Sequence, residues 1–129
     1  MRYYQELSWI EGVAAAVNSD QEMAAVGEHC NIRFAVVFED VRFDLHLEKG
    51  KVVGISEGSK IDHRVDFGFR APNHVWDQHL RDKPEAFYQN IYSMLMREPE
   101  FQLDGDGLVF AQNARAMQRV MAIFQEQAK

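Results

Sequence analysis

Five histidines, one cysteine and a doubled Asp-Gly are the residues of this chain that offer reactive or metal-binding chemistry. The histidines are His29, His46, His63, His74 and His79. Two zinc ligands on one helical face stand four residues apart with a glutamate beside the first. His74 and His79 are five apart and lack that glutamate. His46 falls on the polar side of an alternating segment. Cys30 directly follows His29, and chain neighbours rarely meet side chain to side chain as nucleophile and base. Asp104-Gly105-Asp106-Gly107 lacks the spaced ligands and closing glutamate of a calcium loop. It reads instead as a strand-end turn with Asp106 capping a helix. There is no nucleophile elbow and no glycine-rich phosphate loop. The expectation is therefore no metal, no cofactor and no catalytic residue. An enzymatic alternative would use His74 or His79 as acid or base at the mouth of an apolar site.

What stands out in place of reactive groups is an apolar stripe shared by successive segments. Phe34, Val36 and Phe38 alternate with Arg33, Ala35 and Glu39; Val41, Phe43, Leu45 and Leu47 alternate with Arg42, Asp44, His46 and Glu48. Val65, Phe67 and Phe69 alternate with Arg64, Asp66, Gly68 and Arg70. Period-2 alternation gives a sheet with one phenylalanine-rich face and one charged face. Arg42, Asp44, Arg64 and Asp66 are expected to make cross-strand charge pairs on the wet face. Whatever covers the apolar face decides between a plain core and a site for something apolar. Burying each ring contributes roughly 2–3 kcal/mol in either case.

Glu39-Asp40 is expected as a two-residue loop pairing Phe38 with Val41, Val36 with Phe43 and Phe34 with Leu45, which keeps all six on one face. For the next turn, near Glu48 to Lys51, a longer bulged form with left-handed Gly50 places Val53 and Ile55 beside Leu47 and Leu45. A fourth strand is expected over about Asp62 to Arg70, and a short fifth over Glu100 to Gly105. Helical spacing predicts a helix over Tyr3 to Val17, with Leu7, Ile10, Val13, Ala14 and Val17 inward. A short helix follows from Asp20 to His29 and another from His74 to Leu80, with Trp76 inward. Asp82-Lys83-Pro84-Glu85 reads as an N-terminal box for a helix with Phe87, Ile91, Met94 and Leu95 on one stripe. A final helix runs from Asp106 to about Gln125, with Phe110, Met117, Val120, Met121 and Phe124 inward. Met94, Met96, Met117 and Met121 make these last two helices the candidate lid, because methionine repacks readily around varied apolar ligands.

The order is α+β, with helices over one face of a sheet. The chain of 129 residues reads as one domain: an N-terminal helical segment over 1–30, a four-strand region over 31–70, and helices with a fifth strand over 71–129. A net charge of −6 argues against a nucleic-acid partner or an anionic membrane surface. No stretch is apolar enough for stable membrane insertion. A lone cysteine, no signal pattern at the start and no Ser-Lys-Leu at the end suggest a cytoplasmic protein.

The layout resembles the sterol carrier protein 2-like family in its stand-alone prokaryotic form. The resemblance rests on a helix with Trp9 leading to Asn18-Ser19-Asp20, and on the meander Phe34 to Ile55. It rests also on Val65-Asp66-Phe67-Gly68-Phe69 running into the Trp76 helix, and on Phe101 to Gly107 running into a terminal helix. It implies a five-stranded, mostly antiparallel mixed sheet ordered 3-2-1-4-5, with helices on one face and an apolar tunnel between. It further implies non-catalytic binding or transport of a sterol, fatty acid or acyl-type lipid. From the sheet, Phe34, Val36, Phe43, Leu45, Phe67 and Phe69 would line the pocket. Trp76, Ile91, Met94, Leu95, Phe101, Phe110, Met117 and Met121 would close it. The alternative is a closed-core accessory or interaction module, because the sequence places nothing polar to orient a ligand. Such a module would pair with a partner enzyme or form a homo-dimer, for example along the edge strand Lys51 to Ser56.

Overall fold

In a computed structural model that describes residues 2–58 and 65–129, the alternating segments pair into a five-stranded sheet. The strands are β1 (Ile32–Phe38), β2 (Val41–Glu48), β3 (Lys51–Glu57), β4 (Phe67–Ala71) and β5 (Gln102–Gly105). Their order is β3-β2-β1-β4-β5, as expected. The β1–β4 pair is parallel and the other three are antiparallel. Phe38 faces Val41, Val36 faces Phe43 and Phe34 faces Leu45, the register that keeps the apolar set on one side. The parallel pair extends that face by setting Phe67 beside Phe34 and Phe69 beside Val36.

The β2–β3 connection differs from the expectation. It is a two-residue turn, Lys49 at φ 50° and Gly50 at φ 77°, between paired Glu48 and Lys51. Two left-handed residues match the twist of the flanking strands, so the tight turn forms without a bulge. The extra residue lies farther along: Leu47 pairs Val52 and His46 pairs Gly54, leaving Val53 between them and 56% exposed. Ile55 does face Leu45. Gly50 is fixed by its neighbours as well as by its dihedral, since a Cβ there would stand 2.8 Å from the Gly27 carbonyl oxygen. Gly50→Ala is therefore expected to cost clearly more than the ~1–2 kcal/mol of a left-handed alanine alone. Urea unfolding of the variant checks this, and a loss under about 1 kcal/mol would show the two backbones can part cheaply.

The helices are α1 (Leu7–Asn18), α2 (Gln21–Val26), α3 (Asn73–Leu80), α4 (Ile91–Arg97), α5 (Gly107–Gln112) and α6 (Ala114–Gln127). Four are shorter than expected or broken; α2 ends at Val26, with Gly27 as its C-cap, where the expectation ran to His29. A 3-10 turn, Tyr3–Gln5, stands apart from α1 because Glu6 is extended. The Asp82–Glu85 box opens only the 3-10 turn Ala86–Tyr88. The α-helix proper starts at Ile91, and the preceding Asn90, whose side chain accepts from the Ser93 N–H at 2.9 Å, supplies the cap itself. The predicted stripe is thereby cut: Ile91 and Met94 are buried, while Phe87 lies outside the core cluster. The last helix is broken at Asn113, where the Val109 carbonyl accepts both the Asn113 backbone N–H, at 3.2 Å, and its side-chain amide, at 2.9 Å. Asp20 and Asp106 cap α2 and α5 as expected. The predicted start of the fourth strand, together with His63 and Arg64, lies outside the described residues. The fifth strand begins two residues later than expected, at Gln102.

The core lies between the apolar sheet face and the helices, with α1 packed on β3 and α6. Arg119 of α6 grips Asp20 with two hydrogen bonds, 2.9 and 2.7 Å, so the cap of α2 is also its tie to α6. On the wet face the expected cross-strand set includes Arg64, which lies outside the described residues. Arg42 reaches Asp44 on its own strand at 2.7 Å, and Asp66 accepts from the Arg33 backbone at 2.9 Å. Among the described residues no helix is long and apolar enough to cross a membrane, and no three His, Cys, Asp or Glu residues gather as metal ligands.

Candidate functional site

The space between sheet and C-terminal helices is where side chains of many elements converge. Trp76 anchors one side: its indole N–H donates to the Val37 carbonyl at 2.9 Å, which fixes α3 against β1. The Trp76 ring meets Phe38 at 4.7 Å and Phe101 at 5.4 Å, both edge to face. Phe101 stacks on Phe69 at 5.9 Å, and Phe34 stacks on Phe67 at 6.2 Å. Such ring pairs add about 0.5–1.5 kcal/mol each beyond the area they bury.

Phe110 is the hub. From α5 it lies over both strand rings, 5.4 Å from Phe67 and 5.6 Å from Phe69, with Tyr92 of α4 on its other side at 5.8 Å. Tyr92 is itself fixed by donating its hydroxyl to the Ala114 carbonyl at 2.8 Å. The element that carries Phe110 is six residues long, ends at the Asn113 break, and leaves Leu108 exposed. Two short helices, α4 and α5, thus roof the β4 side of the sheet.

Of the fourteen residues expected to line the site, thirteen are buried in one cluster. Leu95 is half-buried at its margin. Phe34, Phe67, Phe69, Trp76, Phe101 and Phe110 form one connected set of ring contacts. Phe43 joins it only through Phe38, at 6.4 Å. Val36, Leu45, Ile91, Met94, Met117 and Met121 pack in the same cluster. Met96 departs from the lid expectation: it is 85% exposed, because α4 starts only at Ile91 and turns that position outward. The connected rings are all buried. Among the described residues, prominent depressions are surface grooves. One of about 260 Å³ lies over Arg33, His46, Gly54 and Ser56 on the sheet's outer side. Another of about 300 Å³ runs from Val26 and Cys30 to Asn113 and Ala116.

The two histidines of α3 diverge. His74 is exposed and lies 2.9 Å from Glu100. His79 is buried, with its ring 6.1 Å from Trp76. His79 Nδ1 lies 2.8 Å from the Tyr88 carbonyl oxygen, so Nδ1 carries the hydrogen and donates it. Nε2 is fully covered and meets no hydrogen-bond partner among the described residues. Burial, only partly opposed by the Tyr88 bond, pushes the His79 pKa down to about 4. The imidazole is therefore neutral near pH 7. Sequence spacing could separate the two faces of α3, but it carries no signal for which histidine is enclosed.

Burial also pushes the Cys30 thiol up to about 11, so it is an inert core thiol at neutral pH. At the start of α3, Tyr4 donates to Asp77 at 2.7 Å and Gln5 donates to the Phe38 carbonyl at 2.9 Å. Asn73 reaches Glu39 at 3.2 Å. This polar set is internally satisfied and ties the N-terminal segment to the sheet.

No family model matches the sequence, and no curated protein matches it. Solved structures do. A crystal structure of sterol carrier protein 2 superposes with a TM-score of 0.76 at 19% identity, covering 95% of this chain and 97% of that one. A conserved hypothetical protein from Thermus thermophilus, described as possibly a sterol carrier protein, gives 0.69 at 20%, covering 95% and 87%. The UbiJ-SCP2 ubiquinone synthesis protein gives 0.60 at 12%, covering 98% and 97%. At these identities the likeness is one of fold.

Proposed function

From the premise of a sterol carrier protein 2-like fold, we propose that this protein binds an apolar, lipid-like molecule between its sheet and its C-terminal helices, without transforming it. The observation that carries this reading is Phe110, a single ring from a short, separately capped helix that plugs the phenylalanine face of β4. Exposing one phenylalanine costs roughly 2–3 kcal/mol, while each methylene a ligand buries contributes about 0.8 kcal/mol. Three or four methylenes therefore offset displacement of the plug. Met94, Met117 and Met121 are the adaptable neighbours that could close around what enters. Affinity then follows buried area, and selectivity among chains is weak.

Native mass spectrometry of protein purified from cells, followed by solvent extraction, tests the reading. A discrete apolar mass that leaves on extraction supports it. Met121→Lys should abolish uptake of a fluorescent fatty-acyl probe, and uptake intact in a folded variant would remove Met121 from the site. A second reading, an accessory module for a partner enzyme, is favoured by the burial of the rings in one cluster. A clean apo mass together with no probe uptake would favour it.

A further inference from the structure

A buried acceptor with no donor is a cost of about 1–3 kcal/mol that a fold ordinarily avoids. His79 Nε2 is such an acceptor. The neighbouring Gln125 does not relieve it. Its amide donates to the His79 and Gln89 carbonyls, both at 3.0 Å, and lies on the Nδ1 side of the ring at 3.4 Å. The tautomer is also locked, since the Nδ1 hydrogen is held by the Tyr88 carbonyl. Nε2 is thus a bare lone pair held in a fixed direction. The His79 ring packs edge to face on Trp76 at 6.1 Å, and Trp76 links through Phe101 to Phe69, so the imidazole adjoins the ring cluster.

We propose that His79 Nε2 is the polar anchor of the ligand site and accepts a hydrogen bond from the hydroxyl of a neutral long-chain alcohol. This rests on the carrier reading and gives it a ligand class. A hydroxyl supplies the missing donor. A carboxylate supplies none and would bring an unpaired charge into an apolar interior, which is strongly unfavourable. An alkane fills the space and leaves the nitrogen orphaned. The low pKa of the imidazole keeps it an acceptor at neutral pH. The sequence reading found nothing polar to orient a ligand; the enclosed histidine is that group.

The test compares 1-dodecanol, dodecane and dodecanoate binding to the full chain at neutral pH. Nitrogen NMR of histidine-labelled protein reads Nε2 directly. The expected result is that dodecanol binds about tenfold more tightly than dodecane, the equivalent of one neutral hydrogen bond to a buried acceptor. Dodecanoate should bind more weakly still, and the His79 Nε2 resonance should shift when dodecanol is added. His79→Asn keeps a donor in the place of Nδ1 and deletes Nε2, so it should erase the alcohol preference, bringing the ratio of dodecanol to dodecane affinity to about one. Equal binding of alcohol and alkane, or an unmoved Nε2 resonance with dodecanol bound, overturns the anchor and leaves the carrier reading standing. Failure of all three probes to bind overturns both. Should the asparagine variant not fold, the resonance of the unmodified protein decides alone.

Discussion

Phe110→Ala is expected to lower stability by about 3 kcal/mol and at the same time to raise uptake of a long-chain fluorescent probe. Truncating a buried phenylalanine costs about 3–5 kcal/mol, with the lower end for sites that can relax. Phe110 is 7% exposed on a six-residue helix, so the lower end applies. The space it leaves is bounded by Phe67, Phe69 and Tyr92. An apolar cavity of that kind stays dry and accepts apolar guests. A plug residue and a plain core residue give opposite signs for binding in this variant. Urea unfolding gives the loss of stability and probe titration gives the uptake. If uptake falls along with stability, Phe110 supports a closed core and the site is not beneath α5.

Acid should unfold the protein earlier than its carboxylates alone require. In the unfolded chain His79 takes up a proton near its ordinary value of 6.5, whereas in the fold its pKa lies near 4. The folded state therefore binds fewer protons between these values, and stability falls as pH falls through that window. The contribution of the neutral buried ring is complete above about pH 6.5. Roughly 3 kcal/mol of it is gone by about pH 4. The groups that face the ring are the Tyr88 carbonyl, the Gln125 amide and the Trp76 indole, none of which carries a charge. Asp20, held below the usual carboxylate range chiefly by its Arg119 hydrogen bonds, loses its contribution only at lower pH. Stability curves of the unmodified protein and of His79→Asn at pH 7, 5.5 and 4.5 separate the two. The variant should lose much of the slope between pH 6.5 and 4.5. Parallel curves would mean that the ring is protonated without penalty and is less enclosed than its burial indicates.

The parts of the fold legible in sequence are those set by local alternation. The β1–β2 register follows because any one-residue slip turns Phe34, Val36 and Phe38 to water. The inward set Met117, Val120, Met121 and Phe124 follows from helical spacing in the same way. The breaks were not legible. Asn90 and Asn113 interrupt stretches whose apolar spacing is continuous: the Asn90 side chain caps the start of α4, and the Asn113 side chain adds a second bond to the Val109 carbonyl. The close approach of Gly27 to Gly50 depends on where α2 lands on the β2–β3 turn, a tertiary fact that no window of sequence holds. For the candidate site, the apolar residues could be named from their pattern. Two features could not: the central position of Phe110 and the enclosure of His79. Both arise where α3, α4, α5 and α6 meet across tens of residues.

The stray residue Val53 bears on how many copies of this protein can share a solution. A straight, unpaired strand edge is a template on which further chains polymerise. Here one edge, β3, is kinked in mid-strand by Val53, and the other, β5, offers only four residues. Among the described residues, neither side of the sheet presents a flat run of free backbone groups long enough to recruit another strand. Open-ended, sheet-to-sheet growth between copies is thereby discouraged, although the strands that build the sheet are rich in valine and phenylalanine.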